Sequence, residues 1–163
     1  MTAWGWVVVD ELSNPIACGC IKTAPENKKK RIRKSDDTGR RATEIISTLL
    51  DVVRHYNIQY LLSESPHGSQ NASAAVMIGL VSGVMYTMSE CMKIPLETYS
   101  EQDAKKAVLH KKSATKDEMI EAISKLYTVK WKNIKYADEA IADALAVHYV
   151  AMQNSPVLKM FCR

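Results

Sequence analysis

The opening stretch MTAWGWVVVD, residues 1–10, places aromatic and β-branched side chains at Trp4, Trp6, Val7, Val8 and Val9 and runs into the turn chemistry of Leu12-Ser13-Asn14-Pro15. A run of this kind bounded by turn formers reads as a β-strand. Working outward, IACGCIKT (Ile16 to Thr23) is a second short strand joined to the first by that turn, so an antiparallel hairpin is expected. The first strand starts at residue three or four with nothing written ahead of it. Either it is an edge strand that opens the fold, or a neighbouring strand belongs before it and is missing from these residues.

Beyond the hairpin the periodicity changes. Ala42, Ile45, Ile46, Leu49, Val52, Val53 and Tyr56 recur at helical spacing, with Asp36, Asp37 and Thr38 as N-cap candidates, which predicts an amphipathic helix from Asp37 to near His55. Ile58 to Ser63 is a short apolar strand that runs into Glu64 and the turn-rich SPHGSQNAS. Ala72 to Met92 reads as a long helix that mixes small residues (Ala75, Gly79, Ser82, Gly83) with large ones (Met77, Leu80, Val84, Met85, Met88), so close helix packing is expected. A strand over Ile94–Ser100 and helices over about 102–109, 116–127 and 138–153 complete the order. Hairpin, helix, strand, helix, strand and helices predict an α/β fold, a mixed sheet flanked by helices. In such sheets ligands meet the carboxyl ends of the strands, where Glu64 is placed.

The chain's 163 residues fit a single domain, 1–163, with no internal repeat or linker. No apolar stretch of about 18 residues and no signal design is read, so no membrane partner and a cytoplasmic protein are expected. Cys18, Cys20, Cys91 and Cys162 contain no C-x-x-C pair and read as reduced packing thiols. The net charge of +4 is unevenly spread. Lys28, Lys29, Lys30, Arg31, Arg33, Lys34, Arg40 and Arg41 crowd one segment, a positive field suited to a nucleic-acid backbone or, more plainly, a solvated loop.

Two carboxylate features carry possible chemistry. Glu64 sits at a strand end, as a solvated acid also would. In YADEAIADALAVHY, Glu139 and Asp143 lie four apart and share a helix face, where like charges repel by a few tenths of a kcal/mol unless a cation relieves them. The alternative is an acidic first turn favoured by the helix dipole, since Asp138 and Glu139 fall where it acts. A two-metal hydrolytic site needs several hard oxygen ligands from different elements. Glu64, Glu139 and Asp143 supply three. The scattered histidines show no metal-ligand spacing, and there is no G-x-S-x-G, Walker loop or G-x-G-x-x-G.

With these residues in view, TAWGWVVVDELSNPIACGCIKT resembles the first hairpin of RuvC-type Holliday-junction resolvases, in a bacteriophage-like form. LLSESPHGSQNASAA resembles their second acidic motif, and YSEQDAKKAV with ADEAIADALAVHYVA resembles their closing segments. The likeness runs over essentially the whole chain, and A-D-A-L-A is its most specific part. It implies an RNase H-like fold, divalent-metal-dependent cleavage of branched DNA such as the four-way junction, two Mg²⁺ ions per site with Mn²⁺ as an alternative, and a homodimer working in a bacterial or bacteriophage-infected cell. Glu64 matches the second metal-binding carboxylate and Asp143 the last. The family's other helical ligand falls on Ala140 here, so Glu139 is expected to substitute. Lys105 and Lys116 match basic residues near the site that would stabilise phosphate charge in the transition state.

The family's first catalytic Asp lies on a strand just before the T-x-x-G-W stretch, ahead of Met1 as this chain is written. Asp10, at the far end of the following strand, does not replace it. The expectation is therefore that residues 1–163 cleave weakly or not at all while keeping DNA binding. Comparable cleavage by these residues and by an N-terminally extended chain would refute it. Two alternatives stand beside the resolvase reading: a branched-DNA-binding protein of the same fold with impaired catalysis, and an RNase H-like nuclease acting on flaps, forks or packaging DNA.

Overall fold

The computed structural model describes the backbone of residues 2–26, 32–65, 72–111 and 113–161. The elements run β1 (Thr2–Val9), β2 (Pro15–Thr23), α1 (Lys34–His55), β3 (Leu61–Ser65), α2 (Ala72–Met92), β4 (Leu96–Ser100), α3 (Glu101–Leu109), α4 (Lys116–Leu126), α5 (Lys135–Asn154) and α6 (Leu158–Phe161). β1 and β2 form the expected antiparallel hairpin, and its register shifts between Val8 and Val9. β3 and β4 pair in parallel, with Glu64 opposite Tyr99. The hairpin and the parallel pair are separate two-stranded sheets, with no ladder between them among the described residues.

Alternation along β1 assigns its two faces, as a strand's period of two requires. Trp4 and Trp6 pack with Ile45, Leu49 and Val53 of α1 and with Val84, Met85 and Met88 of α2. Val7 and Val9 pack toward Ile141, Leu145 and Ala146 of α5 and toward Met119 and Ile123 of α4. Gly5 lies on this second face, where a Cβ would stand 2.1 Å from the Ala140 carbonyl oxygen. Only glycine lets β1 approach α5 so closely.

α5 is the most buried element; Ile141, Leu145 and Ala151 have no exposed surface. Asp138 is buried at its start and accepts from the backbone N–H groups of Lys132 (2.8 Å) and Ile134 (3.1 Å). That arrangement fixes the entry into the helix. Asp10 does the same for the hairpin, accepting from the N–H groups of Leu12 (2.9 Å) and Asn14 (2.8 Å).

Several expectations change. α1 begins at Lys34, capped by Arg33 with no side-chain hydrogen bond, so none of Asp36, Asp37 and Thr38 is the cap. Asp36 and Asp37 are instead paired with Arg33 and Arg40 inside the first turns. β3 starts at Leu61, because Ile58 closes the α1 terminus by donating its N–H to Val53. The short α6 lay outside the sequence expectation.

The largest correction concerns α2. Ala75–Met92 is 18 residues long with mean hydropathy 1.4, long and apolar enough to cross a membrane, and only 17% of it is buried. Gly79, Ser82, Gly83, Tyr86 and Thr87 break up its apolar runs and Glu90 adds a charge, so the stretch has high mean hydropathy without an unbroken apolar run. The expected close packing around its small residues is absent too, since a Cβ at Gly79 or Gly83 would meet nothing within 4 Å.

Candidate active site

The carboxyl ends of β3 and β4 are built to present acids. Because the strands are parallel and Ser65 pairs with Ser100, both finish at the same level. Ser100 ends β4 and at once caps α3, accepting from the Asp103 N–H at 3.1 Å. Glu101 therefore emerges on the first turn of α3, beside the end of β3 that carries Glu64. Across from them α4 starts at a capping box, in which Thr115 and Glu118 satisfy each other's backbone N–H groups. This fixed start puts Lys116 at the first helical position, where its Nζ donates to Asp143 Oδ2 of α5 at 2.5 Å.

Burial works against the Lys116 ammonium, but the hydrogen bond it donates to Asp143 and the charges of Asp143, Glu101 and Glu64 hold its pKa above the ordinary lysine value. Asp143 is hydrogen-bonded to this cation, and Glu64 and Glu101, on two other elements, act on it through their charge. Lys105, one helical turn beyond Glu101, forms an ion pair with it. Glu64 and Asp143 also line one cavity of about 340 Å³ lying between β1 and β3.

Of the residues singled out from the sequence, the structure brings Glu64, Asp143, Lys105 and Lys116 to one end of the fold. Glu139 does not line the cavity, whereas Ala140, Asp143 and Ala144 of the same helix do. Glu101 was missed in the sequence. Its signal was there in YSEQDAK, an acid directly after a strand that ends in a serine cap, with a lysine four residues on.

The basic segment divides. Lys28, Lys29, Lys30 and Arg31, like residues 66–71 of the stretch expected to turn, lie outside the described residues. Arg40 lies in α1 as expected, and the helix also takes in Lys34, which was expected in the loop. Arg33 is 81% exposed beside Asp36, and Arg40 is held by Asp37 and Glu44. Arg41 is corrected out of the surface set: its Nε donates to Thr23 Oγ1 at 3.0 Å, and it is 8% exposed. There it ties α1 to β2.

Hard carboxylate oxygens gathered round an ammonium fit a hard divalent cation such as Mg²⁺ or Mn²⁺ by donor chemistry. As the side chains stand, no three of His, Cys, Asp and Glu among the described residues are close enough to hold an ion. Lys116 holds the acids' shared field.

An antiparallel and a parallel strand pair between helices, with acids at the ends of the parallel strands, define the class: an RNase H-like nuclease fold. It is shared with a Thermus thermophilus RuvC structure, at TM-score 0.67, 18% identity and coverage of 94% of this chain and 90% of that one. A second solved structure, T. thermophilus RuvC in complex with Holliday junction substrate, matches at TM-score 0.66 and 19% identity, covering 90% of this chain and 82% of that one. The family model for crossover junction endodeoxyribonuclease RuvC matches residues 1–151, and the chain belongs to that family of metal-dependent nucleases. Curated relatives named crossover junction endodeoxyribonuclease RuvC include one from Ehrlichia canis, 25% identical over 148 residues that cover 91% of this chain and 89% of the relative. Another from Shewanella pealeana is 26% identical over 140 residues, 85% and 74% of the two chains.

Proposed function

We propose that this chain is a structure-specific endonuclease that cleaves phosphodiester bonds in branched DNA, with the four-way Holliday junction as substrate. The observation that carries the reading is the convergence of Glu64, Glu101 and Asp143 on Lys116 at the carboxyl ends of β3 and β4. Family membership and the likeness to a RuvC complexed with a junction support the choice of substrate. The metal ions, two Mg²⁺ with Mn²⁺ as alternative, would be held by Glu64 and Asp143, with Glu139 or Glu101 completing the set. When bound, they supply Lewis-acid charge to the phosphate and a more acidic water.

The remaining work falls to the chain's own groups. Lys116 keeps the acids together until a phosphate arrives, and its ammonium then serves the phosphate oxygens. Lys105, paired with Glu101, is set to follow the same charge. Arg33, Lys34 and the preceding Lys28–Arg31 track the DNA backbone, whose neutralisation makes affinity fall steeply with salt.

A second copy of the chain covers α2 in this reading. Val76 is 63% and Tyr86 57% exposed on that helix, and Gly79 and Gly83 leave room for close backbone approach. Such a homodimer sets two sites against the two strands of a junction in the cytoplasm of a bacterial or bacteriophage-infected cell. A mass of twice 18.2 kDa in solution is expected.

The test is Mg²⁺-dependent nicking of a four-way junction by an N-terminally extended chain, set against linear duplex, flap and fork at matched salt. Nicking that prefers the junction and disappears in Glu64→Gln, with junction affinity within a few fold, supports the reading. Preference for flaps or forks would move the assignment to another nuclease of the same fold. Junction binding with no nicking at any metal concentration would leave a binding protein.

A further inference from the structure

We propose that Lys22 of β2, Lys130 and Lys132 between α4 and α5, and Lys135 with Tyr136 at the start of α5 form a second DNA-binding surface. It grips the phosphate backbone beside the phosphodiester to be cut. The proposal rests on the branched-DNA reading above and adds to it a contact separate from the basic segment around Arg33 and Lys34. The stretch concerned is TVKWKNIKY, residues 128–136, in which lysines alternate with apolar and aromatic residues and no acid occurs.

The segment is anchored along its length. Val129 and Trp131 pack against the core of α3, α4 and α5, while Lys130 and Lys132 are exposed. Cys18 Sγ of β2 donates to the Lys130 carbonyl oxygen at 3.7 Å. The buried Asp138 carboxylate accepts from the N–H groups of Lys132 at 2.8 Å and Ile134 at 3.1 Å. Between those two, Asn133 takes the left-handed conformation (φ 58°) that turns the chain into α5. Across from the loop, Lys22 places its Nζ 3.7 Å from the centre of the Tyr136 ring. This cation–π contact positions the ammonium and leaves its charge intact. The backbone that carries the lysines is thus fixed before a ligand arrives, which lowers the ordering penalty of binding.

Charge says what binds. Lys93, Lys105, Lys111, Lys116 and Lys125 each pair with an acid. Lys22, Lys130, Lys132 and Lys135 are all exposed, and none has an ion pair among the described residues. Lys135 also occupies the first position of α5, where the helix dipole disfavours a cation. The acid of that first turn, Asp138, is engaged by the loop's N–H groups. An anion is what relieves such a gathering of positive charge. Tyr136 precedes Asp143 on one face of α5 by two helical turns, about 10 Å along the axis. A ligand that serves both places is therefore a continuous polyanion. A DNA strand supplies one charge for about every 3.4 Å of helix axis, so one phosphate can lie at Asp143 and Lys116 while its neighbours meet the lysines. Such contacts position the DNA without reading its sequence.

The test compares two triple variants by fluorescence anisotropy with an immobile four-way junction over a range of salt. Lys130→Gln with Lys132→Gln and Lys135→Gln should make the slope of log K against log salt shallower by about 2 to 3 and weaken binding at low salt by about tenfold or more. Lys93→Gln with Lys125→Gln and Lys159→Gln removes the same charge from exposed positions elsewhere. That control should move the slope by less than about 0.5, because separated surface charges are screened from one another. Equal effects of the two triples, or an unchanged slope in the first, would overturn the proposal. Should the first triple fail to fold, acetylation of the parent chain read by mass spectrometry decides. Adding the junction should slow labelling of Lys130, Lys132 and Lys135 by about threefold or more, since an ammonium held by phosphate is withheld from the reagent. Labelling of Lys93 and Lys125 should stay as it was. No protection by the junction, or protection by poly-glutamate alone, which would assign the surface to an acidic polypeptide, counts equally against it. Cleavage enters none of these measurements. A chain that binds through these lysines and never nicks loses the nuclease reading and keeps this surface; one that nicks with an unchanged slope does the reverse.

Discussion

The two ends of the β3–β4 pair each carry a partly buried carboxylate, and they treat it in opposite ways. At the amino end Glu97 accepts from Tyr99 Oη at 2.6 Å and from Ser155 Oγ at 2.8 Å. Burial raises its pKa, but the hydrogen bonds from Tyr60, Tyr99 and Ser155 outweigh that and hold it below the ordinary value. The same acid and partial burial push the Tyr99 hydroxyl up to about 12. At the carboxyl end Asp143 accepts from the Lys116 ammonium, whose field also takes in Glu64 and Glu101. An acid satisfied by hydroxyls has nothing left to offer a ligand, whereas acids that share one movable ammonium retain their charge for another cation. Glu97 is the structural acid of this pair, and Asp143 with Glu64 the chemical ones.

That contrast can be broken by exchanging single oxygens. In an N-terminally extended chain, the parent for these comparisons, Glu64→Gln or Asp143→Asn should reduce junction nicking by about a thousandfold or more, since removing a metal-binding charge forfeits several kcal/mol in the transition state. The proteins should melt within a few degrees of the parent. A large fall in melting temperature instead would make these acids structural, like Glu97. The converse substitution, Glu97→Gln, should cost about 1 to 3 kcal/mol of stability in urea titration, because it weakens charge-assisted bonds in a half-buried cluster. Its nicking rate per folded molecule should stay within about twofold of the parent.

The same helix offers a further contrast, between Asp143 at the site and the buried His148 further along the cavity. Burial lowers the His148 pKa to about 4. The folded protein therefore refuses a proton that the unfolded chain accepts near pH 6.5, so stability is full above that value and falls as pH drops toward 4. The loss is about 3 kcal/mol over that window. Its Nδ1 lies 2.8 Å from the Tyr127 hydroxyl, so the test replaces both groups, as His148→Leu with Tyr127→Phe. The double variant should show a flatter dependence of urea midpoint on pH between 7 and 4.5. An unchanged slope would place the acid sensitivity elsewhere. The smallest effect concerns the basic segment: Arg33→Ala with Lys34→Ala should make the slope of log K against log salt shallower by about 1 to 2. No change would mean that these charges never meet phosphate.

Much of the fold can be read in the sequence because its signals are local. The alternation in β1, the turn at Ser13 to Pro15, the helical spacing from Ala42 to Val53 and the apolar runs before Glu64 and Ser100 act over a few residues, and each produced the element expected. Chain order alone also put Glu64 at a strand end. Asp143 was picked out by its four-residue spacing from Glu139 and given its role by likeness to a family, Lys116 came from that likeness alone, and Glu101 was overlooked because a single acid after a strand has no periodicity to announce it.

The sequence by itself determined the succession of elements and the residue types available to them, since backbone geometry and side-chain period are properties of neighbours along the chain. Tertiary structure alone decided which of those residues meet. It buried Arg41 against Thr23, gave Asp138 to the helix entrance, left Glu139 off the cavity and drew Glu64, Glu101 and Asp143 toward one lysine. The physical reason is that charge and burial act through space. Residues 64, 101, 116 and 143 are far apart in the chain and become one electrostatic unit only when the ends of β3 and β4, the start of α4 and the middle of α5 come together.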